Sequence, residues 1–167
     1  MSSTGIEVPT LVIGCGNPLR SDDAAGWVVA ERVSRMIGPD RAAVLVVHQL
    51  TPELAAPVSR AGQVIFIDAA ADLPPGELCL STIEPAASHG ASMTHVLDAS
   101  RLLALAGRVF GRCPPAHLLA IGGTDFGIGQ RLSAVVQQAC EVAARRVCEL
   151  VFGDGGGGLG VKVEANA

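Results

Sequence analysis

Five side chains in this sequence could do chemistry together: the adjacent carboxylates Asp22 and Asp23, the carboxylate Asp68, the imidazole of His89 and the thiol of Cys15. Asp22 and Asp23 close the stretch Gly14-Cys15-Gly16-Asn17-Pro18-Leu19-Arg20-Ser21 and stand before an amphipathic run that begins at Trp27. Asp68 ends the apolar run of residues 64–67, and His89 sits in a loop ahead of a helical pattern. Two carboxylates and an imidazole with room for further ligands make an open metal site, which can polarise a carbonyl or lower the pKa of a bound water. Each residue alone has a plainer reading. Aspartates at a helix start cap it, an aspartate ending a strand bonds a turn, and a loop histidine is solvated. Their convergence is what favours a site. Neighbouring side chains point in different directions, so Asp22 is expected as the structural cap and Asp23 as the carboxylate facing the mouth of the sheet. Cys15 near a helix N-terminus could act as a nucleophile. Neither neighbour is an obvious base, so packing is its expected role.

The loop that carries Asp22 and Asp23 is not a phosphate cradle. A dinucleotide fingerprint needs a third glycine at position 19, where this chain has Leu19. A Walker loop needs a lysine after the glycines, and the single lysine is Lys162. Two carboxylates would also repel a pyrophosphate.

The elements that must position these residues follow from the apolar pattern. Residues 10–13 read as a first strand and residues 24–37 as a helix, ended by Gly38-Pro39. Residues 43–47 read as a second strand, closed by His48. Thr51-Pro52 opens a short helix reaching about Gly62, with Thr51 as its cap. Residues 64–67 form the third strand. This βαβαβ order calls for parallel strands with right-handed crossovers. Residues 69–76 are too few for a parallel crossover, so residues 77–82 are expected as a strand antiparallel to the third. A helix at 94–105, a strand at 118–121 and a last helix at 133–152 complete an α/β three-layer sandwich. Its sheet is five-stranded, twisted, mixed but mostly parallel, with helices on both faces. Open α/β sheets put their sites outside the carboxyl ends of the strands. Asp23, Asp68 and His89 converge there. His48 reaches the same edge and competes with His89. His95 is expected on a helix surface, and His117 at the opposite edge.

Length and composition agree with one domain over residues 1–152, followed by a glycine-rich tail at 153–167 that is expected to be disordered. No apolar run is long enough to span a bilayer, and the first nine residues lack the pattern of a signal peptide. The expectation is therefore a cytoplasmic protein, taken as a monomer. A net charge of −4 and aromatics at 3% argue against nucleic acid as a partner. The five cysteines form no C-x-x-C pair, which excludes a zinc ribbon, and Cys140 and Cys148 read as small core residues.

The chain up to about Phe152 resembles the hydrogenase maturation proteases, endopeptidases that remove a C-terminal extension from the large subunit of nickel–iron hydrogenases. The motif G-x-G-N-x-L-x-x-D-[DE]-x-x-G is matched by Gly14, Gly16, Asn17, Leu19, Asp22, Asp23 and Gly26. An apolar strand ending in Asp-Ala is matched at Asp68-Ala69, with Pro75-Gly76 downstream. Ser88-His89-Gly90 before a leucine-rich helix is the third match, and the octapeptide HQLTPELA starting at His48 looks like one branch of the family. The resemblance implies Asp23, Asp68 and His89 as nickel-binding and catalytic positions, the three that the topology selects. It further implies nickel supplied by the substrate, and a [NiFe]-hydrogenase large-subunit precursor as partner. The chain lacks a Ser-His-Asp motif, which favours an activated water over a covalent intermediate. It departs from many relatives at His48-Gln49-Leu50-Thr51, where they carry Asp-Gly-Gly-Thr, and at Gly122-Gly123-Thr124, where they often carry an acidic residue. Both departures bear on precursor specificity. Two alternatives remain: a nickel chaperone that cuts nothing, and a small-molecule hydrolase using Cys15.

Overall fold

The computed structural model describes residues 7–86 and 94–153. Five strands, β1 (Val8–Cys15), β2 (Ala42–Val47), β3 (Ala61–Ala70), β4 (Leu78–Ile83) and β5 (Ala116–Gly122), form one sheet in the order β2-β1-β3-β5-β4. The pairs β1–β2, β1–β3 and β3–β5 are parallel, while β4 pairs with β5 antiparallel. The helices are α1 (Ala25–Met36), α2 (Ala55–Ser59), α3 (Thr94–Phe110) and α4 (Ala134–Phe152). This is the expected five-stranded mixed sheet, with β4 running against β3. One topological detail differs from the simplest expectation. β4 does not lie beside β3, because β5 inserts between them. The short turn at residues 71–77 therefore carries the chain past the place that β5 later fills. Gly122 sits against the Pro74 carbonyl at that crossing.

Strand alternation divides the core in two. Val12, Ile65, Ile67, Leu119 and Ile121 pack against α1 and α4. Leu11, Ile13, Cys15, Val64, Phe66 and Leu118 pack against α2 and α3. Side chains on a strand alternate between faces, so a central strand clothed on both sides reads as a near-continuous apolar run. That is why β3 carries Val64-Ile65-Phe66-Ile67, all buried. α4 buries Val136, Ala139, Cys140, Ala143 and Val147 at helical spacing. Its Val135 lies off that face and is 39% exposed.

β3 is longer at both ends than the apolar run suggests, and this shifts the reading of Asp68. The residue does not end the strand: β3 continues to Ala70 through its ladder with β5, in which Asp68 faces Ala120. On its other side the ladder with β1 stops at Gly14 opposite Ile67. Asp68 is thus the first β3 residue beyond the β1 pairing, and still stands at the carboxyl edge on that side. The expected short helix closing near Gly62 also ends earlier, at Ser59, because residues 61–63 already belong to β3. Among the described residues no helix is long and apolar enough to cross a membrane.

Candidate functional site

β1 ends at Cys15 and the chain turns at once. Gly16 has φ 139°, a conformation open to glycine, and a Cβ there would overlap the Asp23 carbonyl oxygen. Asn17 accepts the Leu19 N–H through its side-chain oxygen at 2.9 Å, an Asx turn that closes the loop locally. A 3₁₀ turn, Ser21–Ala24, leads into α1. Gly26 lets α1 settle onto the sheet, since a Cβ at this position would meet the Cys15 carbonyl and stand 2.5 Å from the Ile67 carbonyl.

The two aspartates divide their work, although not as a cap and a free carboxylate. Asp22 makes no cap bond to its own helix. Its side chain is fully buried and reaches across to the loop after β5. Oδ2 accepts the N–H groups of Thr124 (2.9 Å) and Asp125 (3.0 Å) and the Ser133 hydroxyl (2.9 Å), while Oδ1 accepts the Ser133 N–H at 2.7 Å. Burial alone would raise the Asp22 pKa. The N–H groups of Thr124, Ser133 and Asp125 and the Ser133 hydroxyl outweigh it and hold the carboxyl below its ordinary value. Around this anchor the two loops are stitched together. Ser21 N–H donates to the Gly129 carbonyl at 2.9 Å, Gly129 N–H to that of Leu19 at 2.9 Å and Asp22 N–H to that of Asp125 at 2.8 Å. The loop that begins at Gly122-Gly123-Thr124 thus clamps the first, a role that no local pattern in the sequence marks. The signal available was Asp22 itself, a motif carboxylate not needed by its own helix.

Asp23 is the carboxylate left at the edge. Its Oδ2 accepts the Asn17 N–H at 2.8 Å, and its backbone N–H donates to the Arg20 carbonyl at 3.0 Å. The residue is half-buried, at the mouth between β1 and α1. Asn17, whose side chain closes the turn, is therefore also the residue whose N–H orients Asp23.

Cys15 and Asp68 both face the α2/α3 side, since Cys15 packs in that core and Asp68 alternates with Val64 and Phe66. In the parallel register, the residue after the Gly14–Ile67 pair places Cys15 beside Asp68. The thiol is buried, and its pKa is driven well above the usual cysteine value by burial first, then by the negative charges of Asp68, Asp23 and Asp98. Two conclusions follow. Cys15 is a protonated packing residue at neutral pH and not a nucleophile. The negative charges of Asp68, Asp23 and Asp98 also all work against ionisation of this thiol.

The histidines sort by position. His48 is exposed and rests edge-on against Trp27, with ring centroids 5.3 Å apart, and the indole Nε1 donates to the Val47 carbonyl at 2.8 Å. Trp27 belongs to α1, so His48 leans toward the face opposite Asp68. His117 lies inside β5 near its amino end, opposite Thr82 of β4, at the far edge as expected, and burial lowers its pKa. His89 lies outside the described residues. Of the flanking residues, Ala86 N–H donates to the Ser100 carbonyl at 3.0 Å, and α3 begins at Thr94. Among the described residues no three His, Cys, Asp or Glu side chains are grouped so as to hold a metal ion.

No family model matches the chain, and no curated protein does. Solved structures do. The hydrogenase maturating endopeptidase HybD from E. coli superposes with a TM-score of 0.72 at 23% identity, over 89% of this chain and 94% of that one. The hydrogenase 2 maturation peptidase from a Thaumarchaeota archaeon gives 0.67 at 23% identity, over 86% and 98%. The [NiFe] hydrogenase maturation protease HybD from Thermococcus kodakarensis gives 0.66 at 20% identity, over 86% and 99%. The chain shares their fold across nearly its whole described length.

Proposed function

We propose that this protein is an endopeptidase that removes the C-terminal extension of a [NiFe]-hydrogenase large-subunit precursor whose nickel is already in place. The observation that carries the reading is the placement of two carboxylates at one sheet edge: Asp23 in the turn that follows β1, and Asp68 as the first β3 residue beyond its β1 pairing. The fold supports it, because its solved counterparts bear the names of hydrogenase maturation proteases. The loop motif supports it too, since each of its residues has a place in the geometry: Gly16 and Gly26 permit close approach, Asn17 orients Asp23, and Asp22 anchors the loop.

In this reading nickel arrives as part of the substrate, and Asp23, Asp68 and His89 take its open coordination positions. Carboxylate oxygens and an imidazole suit such a borderline ion. Docking fixes the scissile peptide bond beside the two carboxylates, and the positioning itself lowers the barrier. Water adds to the carbonyl carbon, the C–N bond breaks, and the water's proton passes by way of an edge carboxylate to the departing amine. The products are a new C-terminal carboxylate and the released peptide. With Cys15 buried and protonated, this route needs no covalent enzyme intermediate. The protein works as a monomer in the cytoplasm on this proposal, and its five free cysteines suit a reducing compartment.

The test is intact-mass measurement of a nickel-loaded precursor and its nickel-free form after incubation with the protein. Loss of a C-terminal peptide from the loaded form alone is the expected result. An unchanged mass with nickel moved between proteins would point to a carrier instead, and equal cleavage of both forms would overturn recognition through the metal.

A further inference from the structure

A cleft of about 170 Å³ opens between the segment leaving β2 and the flank of α3, and neither Asp23 nor Asp68 lines it. Leu50 and Thr51 form one wall, and Asp98, Arg101, Leu102 and Leu105 form the other. The α3 residues are spaced three and four apart, so they line one stripe of that helix. Both walls belong to the carboxyl edge. Leu50 follows β2, whose Val47 pairs with Cys15, and Asp98 lies in the second turn of α3. The cleft therefore adjoins the edge on the α2/α3 side, the side that Asp68 faces.

Size and lining restrict the occupant. An aliphatic cavity of about 150 Å³ holds a benzene-sized group. This cleft takes one leucine- to phenylalanine-sized side chain and is too small for a nucleotide or the face of a helix. Its floor is leucine, and its rim carries one charge of each sign. Asp98 and Arg101 are both exposed, and neither forms an ion pair among the described residues. An extended main chain offers an N–H to the first and a carbonyl to the second. A peptide bound at Asp23 and Asp68 and leaving on the α2/α3 side would head toward this opening.

We infer that the cleft is a specificity subsite of the peptidase, taking one apolar side chain of the precursor next to the scissile bond while Asp98 and Arg101 flank that residue's backbone. This rests on the proposed peptidase reading. The charge of Asp98 reaching the Cys15 thiol together with those of Asp68 and Asp23 agrees with the adjacency.

The experiment uses nickel-loaded large-subunit precursors carrying Ala, Leu, Phe or Asp at each of the two residues on either side of the scissile bond. Cleavage by the wild type is compared with that by Leu105→Ala and, from the opposite wall, Leu50→Ala. Thermal melting checks that each variant is folded. The wild type should favour Leu over Ala and Asp at one of these positions by about 10-fold or more in kcat/KM, the discrimination an apolar pocket supplies. Each widened variant should move the preference at that same position toward Phe by about 10-fold and leave the other positions unchanged. Should Leu105→Ala fail to fold, Leu50→Ala reads the same subsite. If the variants alter cleavage of every precursor by one common factor, the subsite is refuted while the peptidase stands. If the wild type cuts no precursor, the peptidase reading falls and the subsite with it.

Discussion

Asp22 and Asp23 are chemically identical neighbours, and the backbone alone decides their fates. Asp22 turns inward to a nest of N–H groups from a loop more than a hundred residues away, and Asp23 stays at the edge under the Asn17 N–H. Replacing Asp22 by Asn puts an NH₂ group among donors, so a loss of about 2–4 kcal/mol is expected, seen as a fall in Tm of about 5–15 °C. The pH dependence has a defined sign. Because the folded pKa of Asp22 is depressed, its stabilisation is complete above the unfolded carboxylate value of about 4 and is lost as pH falls through the folded value. Denaturant titrations should accordingly show a constant gap between the wild type and Asp22→Asn above about pH 4, closing as pH falls below it. The edge residues should behave in the opposite way. Asp23→Asn, Asp68→Asn and His89→Ala are each expected to slow precursor processing by about 100-fold or more while leaving the melting temperature within a few degrees. Cys15→Ala should keep full processing and lose about 1 kcal/mol or less, because it deletes only a small buried group. Inactivity of a folded Cys15→Ala protein would restore the thiol as a nucleophile.

At the scale of elements, the site depends on how closely α1 approaches β1 and β3. The contact of Gly26 with the Cys15 and Ile67 carbonyls leaves no room for a methyl group. Gly26→Ala must lift the start of α1, and with it the turn that holds Asp23. A loss of about 2–4 kcal/mol is expected, with processing reduced beyond what the remaining folded fraction explains. Chemical denaturation and steady-state kinetics on the same sample separate the two effects. The loop after β5 shapes the site in a similar indirect way. It presents no ligand to the edge, yet through Asp22 and the Leu19–Gly129 and Ser21–Gly129 bonds it fixes the loop that does. The departure from relatives at Gly122-Gly123-Thr124 falls on this clamp.

Across the whole molecule, the sequence by itself determined what short-range physics controls. Alternating and continuous apolar runs marked the five strands, helical spacing marked α1 and α4, and the eight-residue link after the third strand required β4 to run antiparallel. From that order alone, the carboxyl edge followed as the side on which Asp23 and Asp68 stand, since consecutive parallel strands with right-handed crossovers have few alternatives. Contacts between distant segments were decided only by the tertiary structure. β5 enters between β3 and β4, because the short turn leaves a gap that only a later strand can fill. Asp22 abandons its own helix because the N–H groups of Thr124, Asp125 and Ser133 are brought to it by the return of the chain after β5. Cys15 becomes a protonated packing group because folding surrounds it with a dry core and three carboxylates. His48 is drawn to Trp27, on the face opposite Asp68, by a ring contact that no local pattern encodes. Hydrophobic periodicity is written in neighbouring residues, whereas burial, electric field and loop-to-loop hydrogen bonds come into being only when residues far apart in the chain share one place.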